Sequence, residues 1–331
     1  MKKRVILDVD TGSDDAIAIM YAVLSGEFDV EGIMVSFGNQ ALGYTLLNTL
    51  KIRELLKSRV KIYKGASGPL VADLMPGTPK NTKVVSLEGG REGREIAIHE
   101  KIFDLPGPKE REEPVSAVPW LMETLMEADR PVTLIPVGPL TNLALALKAE
   151  PRIAERIEEI VCMGGGVFVN NITPCAEINF YNDPEAAKIV LHSGIPIRLI
   201  TLDATHNSWF GYEEVEKMKK VGNPAADFAA YLLKNRIDAA NALGVRRVKK
   251  SALHDVLAVT AVSHPEVITR MEAQDCDIDV GAGYARGGLF VDRRPSAEKG
   301  KLVRIAYEAD KEMLCGLLLE ALGRYPGEVH N

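Results

Sequence analysis

The densest run of chemistry-bearing residues in the chain is Asp8-Val9-Asp10-Thr11-Gly12-Ser13-Asp14-Asp15, four carboxylates within eight residues. It closes a short apolar run that begins at Arg4. Side chains alternate along a strand, so Asp8 and Asp10 share one side, and Asp10 falls where that strand ends. Asp14 and Asp15 open the next helical pattern, where free backbone N–H groups and the helix dipole favour negative charge. Capping accounts for one or two of these acids, not four. Crowded carboxylates repel, and no Lys or Arg occurs between Val5 and Ser25, so a hard cation with oxygen ligands is the natural neutraliser.

Further polar clusters follow other apolar runs. One run ends in Gly38-Asn39 and another in Val137-Gly138-Pro139-Leu140-Thr141-Asn142. The Gly-Pro turn leaves the Val137 carbonyl free to coordinate, although a proline near a helix start is also ordinary punctuation. Met163-Gly164-Gly165-Gly166 permits close approach of backbone to a ligand. It is not a P-loop, because no Gly-Lys-Ser/Thr follows. Asn171, Glu177 and Asn179 come next, short polar groups suited to hydroxyls and equally readable as a surface loop. His254 and Asp255 sit in the first turn of an apolar helix. They are either a satisfied imidazole and a cap, or a metal ligand beside a leaving-group contact.

These clusters need a scaffold that brings strand ends together. Strand-length apolar runs at Arg4–Asp10, Val30–Phe37, Val60–Lys64, Val132–Val137, Ile157–Met163 and Ile197–Leu202 alternate with helical patterns at Asp15–Leu24, Ala41–Lys57, Thr141–Lys148 and Pro184–His192. That alternation predicts a single α/β domain over residues 1–331, with a mostly parallel central sheet flanked by helices. In such sheets ligands bind beyond the carboxyl ends of the strands, which is where the clusters fall. Residues 75–114, rich in Pro, Gly and charge, read as a long loop with little regular structure. Asp275–Asp292 reads as a small hairpin near the C-terminus, and Leu302–Tyr307 and Lys311–Leu322 as a last strand and helix.

The 331 residues are 46% hydrophobic with a formal net charge of -6. That suffices for a large core and argues against a general binder of nucleic acid or anionic membranes. It leaves room for an uncharged small molecule. No apolar stretch is long enough to span a bilayer. The apolar run after Met1-Lys2-Lys3-Arg4 is broken at once by Asp8 and Asp10, so it is no secretion signal. Cys162, Cys175, Cys276 and Cys315 show no CxxC spacing and read as free thiols in a reducing cytoplasm.

Together these residues resemble the inosine-uridine nucleoside hydrolase family. Its opening signature is matched by residues 8–16. Gly38-Asn39, Gly138-Pro139-Leu140-Thr141-Asn142, Met163-Gly164-Gly165 with Asn171 and residues 176–179, Asp183 to Ala187, Leu202 to His206, and His254-Asp255 follow in family order. The resemblance implies hydrolysis of the N-glycosidic bond of ribonucleosides around a Ca2+ ion. Asp10, Asp15, Asp255 and the Val137 carbonyl would ligate the ion. Asp10 would deprotonate the Ca2+-bound water. Asp14, Asn39, Asn171, Glu177, Asn179 and the Met163 backbone would hold the ribose. His254 would stand beside the leaving base. A homo-oligomer, dimer or tetramer, and a cytoplasmic location go with it.

One departure bears on the base. Many members carry a His-Gly pair in the loop after the third strand, where Ser86 to Gly93 contains no histidine, and His99 is not taken as its counterpart. At most one imidazole is then expected beside the base, which favours purine or broad use over strict pyrimidine specificity. Two alternatives stand beside this reading. One is a non-catalytic nucleoside-binding protein on the same fold. The other is a haloacid-dehalogenase-like phosphatase, although that family wants Asp-x-Asp-x-Thr and here the last position is Gly12.

Overall fold

A computed structural model describes residues 2–71, 74, 88–89, 96–242, 249–294 and 303–326. Its central sheet has eight strands, numbered here in chain order: β1 (Lys3–Val9), β2 (Phe28–Val35), β3 (Ile62–Lys64), β4 (Val132–Pro136), β5 (Ile157–Met163), β6 (Ile197–Ile200), β7 (Ile268–Ala273) and β8 (Val303–Ala309). The spatial order is β7-β8-β6-β5-β4-β1-β2-β3. Every pairing is parallel except β7 with β8. The chain winds outward from β1 to β3 in one direction, then from β4 to β6 in the other. The order therefore reverses between β1 and β4, and there the carboxyl ends of neighbouring strands diverge and leave a crevice. The expected mostly parallel sheet flanked by helices is the observed one.

β1 shows why this edge of the crevice is rigid. Val5, Leu7 and Val9 enter one hydrophobic cluster and Ile6 enters the other, so both faces of the strand are packed. A strand buried on both sides reads as an unbroken apolar run, and residues 5–9 do so apart from Asp8. Helix Ser13–Leu24, which follows, is buried nearly all round, as befits an apolar helix without a polar face. It packs on helices His254–Ser263, Pro224–Ala242 and Lys311–Gly323. Truncating Ile17 or Ile19 there costs about 2–5 kcal/mol. Asp14 and Asp15, in its first turn, are thereby set into the interior.

The predicted hairpin is present as Cys276–Ile278 paired antiparallel with Leu289–Val291. Of the predicted long loop, residues 75–87 and 90–95 lie outside the described residues. Its described part holds one short antiparallel pair, Glu88–Gly89 with Ile96–Ala97, and 98–114 carry no helix or strand. Among the helices that the sequence did not signal are three of eight residues or more: Ala117–Glu127, Tyr212–Lys219 and Pro224–Ala242. The last is rich in alanine, including Ala225, Ala226, Ala229 and Ala230 on buried positions. Small side chains leave little apolar periodicity to detect. Among the described residues no helix is long and apolar enough to cross a membrane. All four cysteines are unpaired, and three are buried.

Candidate active site

Asp10 follows β1 and Val137 follows β4, so the two lie side by side at the switch point; the Val137 N–H donates to the Asp8 carbonyl at 2.8 Å. Around them Asp10, Asp14, Asp15 and Asp255 form an acidic floor, 1%, 4%, 0% and 4% exposed. Asp15 Oδ1 accepts the Asp10 N–H at 3.1 Å, and Asp15 Oδ2 accepts the Gly12 N–H at 2.9 Å and the Asn39 amide at 3.0 Å. Asp10 Oδ2 accepts the Asn39 N–H at 2.6 Å, while Asp10 Oδ1 is buried with no hydrogen-bond partner. Gly38 makes this possible: a Cβ there would fall 2.0 Å from Asp10 Oδ2.

The electrostatics of the floor are strained in one direction. Burial, then the Asp15 charge, pushes the Asp10 carboxyl well above its ordinary range. Burial and the charges of Asp14, Asp15 and Asp10 do the same to Asp255. Burial and Asp14 raise Asp15 to about 6. Asp14 is the exception. Burial pushes it up, but the Arg236 guanidinium, 2.8 Å away, and His99 outweigh that and hold it below the ordinary value. Arg236 comes from helix Pro224–Ala242 and corrects the expectation that no protein cation serves this cluster. A basic group absent from the local sequence arrives through the tertiary fold.

Asp14, Asp15 and Asp255 can each offer one oxygen within 4.8 Å of the others. Three crowded, buried carboxylates, two of them short of charge compensation, beside an unpartnered Asp10 oxygen, fit a hard cation bound through oxygen. A cation would also reverse the upward shifts. The Val137 carbonyl is not idle as expected: it accepts the Asn179 amide at 2.8 Å. A carbonyl has two lone pairs, so this contact orients the group without saturating it.

Above the floor is a cavity of about 270 Å³. Asp14, Asn39, Val137, Met163, Asn171, Glu177, Asn179, His254 and Asp255 all line it, and Asp10 and Asp15 are not among its lining residues. Glu177 Oε2 caps a short helix, accepting from the N–H groups of Gly165, Asn179 and Phe180, while Oε1 is buried without a partner. Burial lifts this carboxyl to about 7. Asn179 Nδ2 also approaches the Met163 carbonyl at 3.3 Å. Asn171 Oδ1 accepts the Ile178 N–H at 3.0 Å. Each of these groups therefore serves the local fold while its neighbouring atoms face the cavity.

The opposite wall holds residues that sequence reasoning passed over: His99, Trp209 and Arg236, with His206 beside them. The expectation of at most one imidazole fails, because His99, His206 and His254 all line the cavity. His99 Nδ1 accepts the Ser13 N–H at 3.1 Å, and Nε2 faces the Arg236 guanidinium at 3.4 Å. Burial and Arg236 lower this imidazole to about 4, so it stays neutral. Gly12 admits the ring, since a Cβ there would lie 2.1 Å from His99 Nδ1. His254 Nδ1 lies 2.7 Å from the Thr205 hydroxyl, and the His206 ring sits between His254 and Trp209, at 5.7 and 4.8 Å. Trp209 and Lys250–Ala252 come from the two strands of one small antiparallel ladder. His206 and His254 belong to motifs read in the sequence, whereas His99, Trp209 and Arg236 have none; a lone histidine in a charged loop and one of two tryptophans are weak signals.

Floor and wall thus meet at the switch point of an open α/β sheet, where such folds bind their ligands. Residues 5–315 match the model of the inosine-uridine preferring nucleoside hydrolases, and the chain belongs to that family. Its activity is hydrolysis of ribonucleosides, a metal-dependent reaction in the family. The pyrimidine-specific ribonucleoside hydrolase RihB of Escherichia coli O17:K52:H18 is 33% identical, with 98% of each chain covered. The purine-preferring ribonucleoside hydrolase from Gardnerella vaginalis superposes with a TM-score of 0.85 at 28% identity, covering 97% of this chain and 98% of that one. The inosine-uridine preferring nucleoside hydrolase from Bacillus anthracis, at 21% identity over 97% and 99% of the chains and a TM-score of 0.71, shares the fold. The phosphatase and the non-catalytic binder fall with this assignment.

Proposed function

We propose that the chain cleaves ribonucleosides by water attack at C1′ with Asp10 as general base, the ion being Ca2+. The observation that carries this is the group of Asp14, Asp15 and Asp255 oxygens within 4.8 Å of one another, next to the unpartnered Asp10 Oδ1. Asp10, Asp15, Asp255 and the Val137 carbonyl would hold the ion, with Asp14 of that group left to the ribose by its pairing with Arg236. When bound, Ca2+ would make water more acidic and favour oxygen groups of the sugar, modestly enough that a protein base is still required.

The remaining work falls to the chain. Asp14, kept ionised by Arg236, accepts from a ribose hydroxyl, as do Asn39, Asn171, Glu177 and Asn179 with the Met163 backbone. Positive charge grows on the sugar as the glycosidic bond breaks, and the buried carboxylates stabilise it. Water oxygen joins C1′, its proton passes to Asp10, and the electron pair of the broken bond leaves with the base. His254 stands where that base accumulates charge and supplies a proton. His99, kept neutral by burial and Arg236, lies against the base and orients it. Trp209 and Ala252 add flat and apolar surface.

Three imidazoles remove the argument for purine use that rested on one. We retain purine or broad use on the size and apolar lining of the wall. The free thiols suit a cytoplasmic enzyme, and a homo-oligomer, dimer or tetramer, completes the reading. The test is free ribose released from a panel of purine and pyrimidine ribonucleosides, with metal analysis of protein purified without chelator. Turnover of both base classes and stoichiometric Ca2+ are expected. Strict pyrimidine use overturns the base assignment, and full activity in a metal-free preparation overturns the ion.

A further inference from the structure

His99 lies in a stretch without regular secondary structure, so backbone ladders do not fix its ring. Downstream the stretch is stitched to helix Leu42–Leu55: the Phe103 N–H donates to Asn48 Oδ1 at 3.0 Å, Asn48 Nδ2 to the Lys101 carbonyl at 3.2 Å and Lys51 Nζ to the Phe103 carbonyl at 2.7 Å. Phe103 also packs edge-on against Phe228. These anchors hold residues 101–103. They leave open what holds His99 against helix Pro224–Ala242, whose Arg236 lies 3.4 Å from His99 Nε2.

Glu100 is placed for that. Its Oε1 accepts the Tyr231 hydroxyl at 2.7 Å and the Asn235 amide at 2.9 Å. Tyr231 and Asn235 are four residues apart, hence on one face of the helix, and Asn235 immediately precedes Arg236. A single carboxylate oxygen thus clasps the residue next to His99 onto the helix that carries the counter-ion of Asp14. Hydrogen bonds to an ionised group are short and stronger than neutral ones.

We propose that Glu100, with Tyr231 and Asn235, is a positioning latch that holds His99 at the leaving base. The proposal rests on the reading of His99 as a base contact. Glu100 touches no substrate; it acts through the ring beside it. Losing both bonds frees the backbone at residue 99 and lets the ring drift from its contacts with Ser13 and Arg236. A misplacement of about 1 Å lowers turnover up to about a hundredfold.

The experiment compares two leaving groups in the intact enzyme. Inosine and uridine need help from the protein as the base departs, whereas 4-nitrophenyl β-D-ribofuranoside releases a stable phenolate without it. Glu100→Ala is expected to lower kcat on the nucleosides about tenfold or more, with KM little changed. The nitrophenyl riboside is expected to be turned over nearly as before. Glu100→Gln, which keeps an accepting oxygen, restores most of the loss. Tyr231→Phe, which removes one donor at the surface, gives a smaller loss with the same substrate pattern and serves if Glu100→Ala folds poorly. In a His99→Ala background, Glu100→Ala adds nothing, because the two act on one contact. Equal losses on both substrate types, or additive losses in the double variant, overturn the latch while leaving His99 in place. Unchanged nucleoside turnover in His99→Ala removes His99 from the base, and the latch with it.

Discussion

The floor of the cavity draws Asp10, Asp14 and Asp15 from one strand end and the helix turn after it, and only Asp255 comes from elsewhere. The wall above it gathers His99, Trp209, Arg236 and His254 from four separate parts of the chain. The floor handles what all substrates share, water and ribose. The wall handles what differs between them, the base. Residues with a common task sit on backbone that is packed on both faces and cannot shift. Residues with a variable task sit on a loop, a small two-stranded ladder and two helix positions, where change is tolerated more easily. Substitutions in the floor should therefore injure every substrate alike, and substitutions in the wall should injure substrates according to their leaving group.

The largest effect is expected at the floor. Asp10→Asn removes the proposed base and should lower kcat by on the order of 10⁴ on every substrate, the nitrophenyl riboside included. The fold should survive, because the change also removes a buried carboxyl that burial and Asp15 already push towards its neutral form. Thermal unfolding and kinetics on one preparation check both halves. Near-normal kcat with metal bound would make another group the base.

Next comes the ribose. If Asp14, Asn39, Glu177 and Asn179 read hydroxyls, 2′-deoxyinosine should be cleaved up to about 10⁴-fold more slowly than inosine, since a site built to bond a hydroxyl is left with unpaired buried groups when it is missing. Comparable kcat/KM for the two would show that the floor recognises something other than the diol.

The same contrast explains what could be read from sequence. The floor was legible because its physics is local: alternation along β1 sets Asp10, and a helix start sets Asp14 and Asp15. The parallel sheet was legible because the carboxyl-terminal parts of β1, β4 and β5 are buried on both faces and therefore mostly apolar. Arg236 was not, since helix Pro224–Ala242 buries mostly alanine and its pairing with Asp14 spans most of the chain. His99 was set aside for lack of a motif, yet Gly12, part of the opening signature, is what makes room for its ring. The Val137 carbonyl was correctly placed at the crevice, but its contact with Asn179 depends on how two loops meet.

At the wall the effect should be smaller and selective. His254→Ala is expected to lower kcat on inosine by about 10²-fold, the low end for a single general acid, and to spare the nitrophenyl riboside. An unchanged inosine kcat would remove His254 as the acid. An equal loss on both substrates would assign it to the floor, through its neighbour Asp255, and would blur the division between the two regions.

The smallest effect lies behind the floor and touches stability only. Asp8 is buried, accepts the Asn142 amide at 2.8 Å through Oδ1, and leaves Oδ2 without a partner. Burial lifts its carboxyl to about 7 against an ordinary value of 3.8, with Asn142 pulling the other way. The folded state thus holds this proton more tightly than the unfolded chain does. Its contribution to stability is fully present below the ordinary carboxylate range and is lost as pH rises through about 7. The Tm of the metal-free enzyme should therefore fall between about pH 4 and pH 7 and level off above that. Glu177, also lifted to about 7, contributes a slope of the same sign, so only part of the trend belongs to Asp8. Asp8→Asn keeps the oxygen that Asn142 needs and cannot titrate. It should flatten the Tm profile over that range while leaving kcat within about twofold, because Asp8 bonds Asn142, neither residue lines the cavity, and a substitution outside the reacting groups has little to remove from the transition state. An unaltered slope would mean that Asp8 is ionised throughout that range, and that burial behind β1 does not hold its proton.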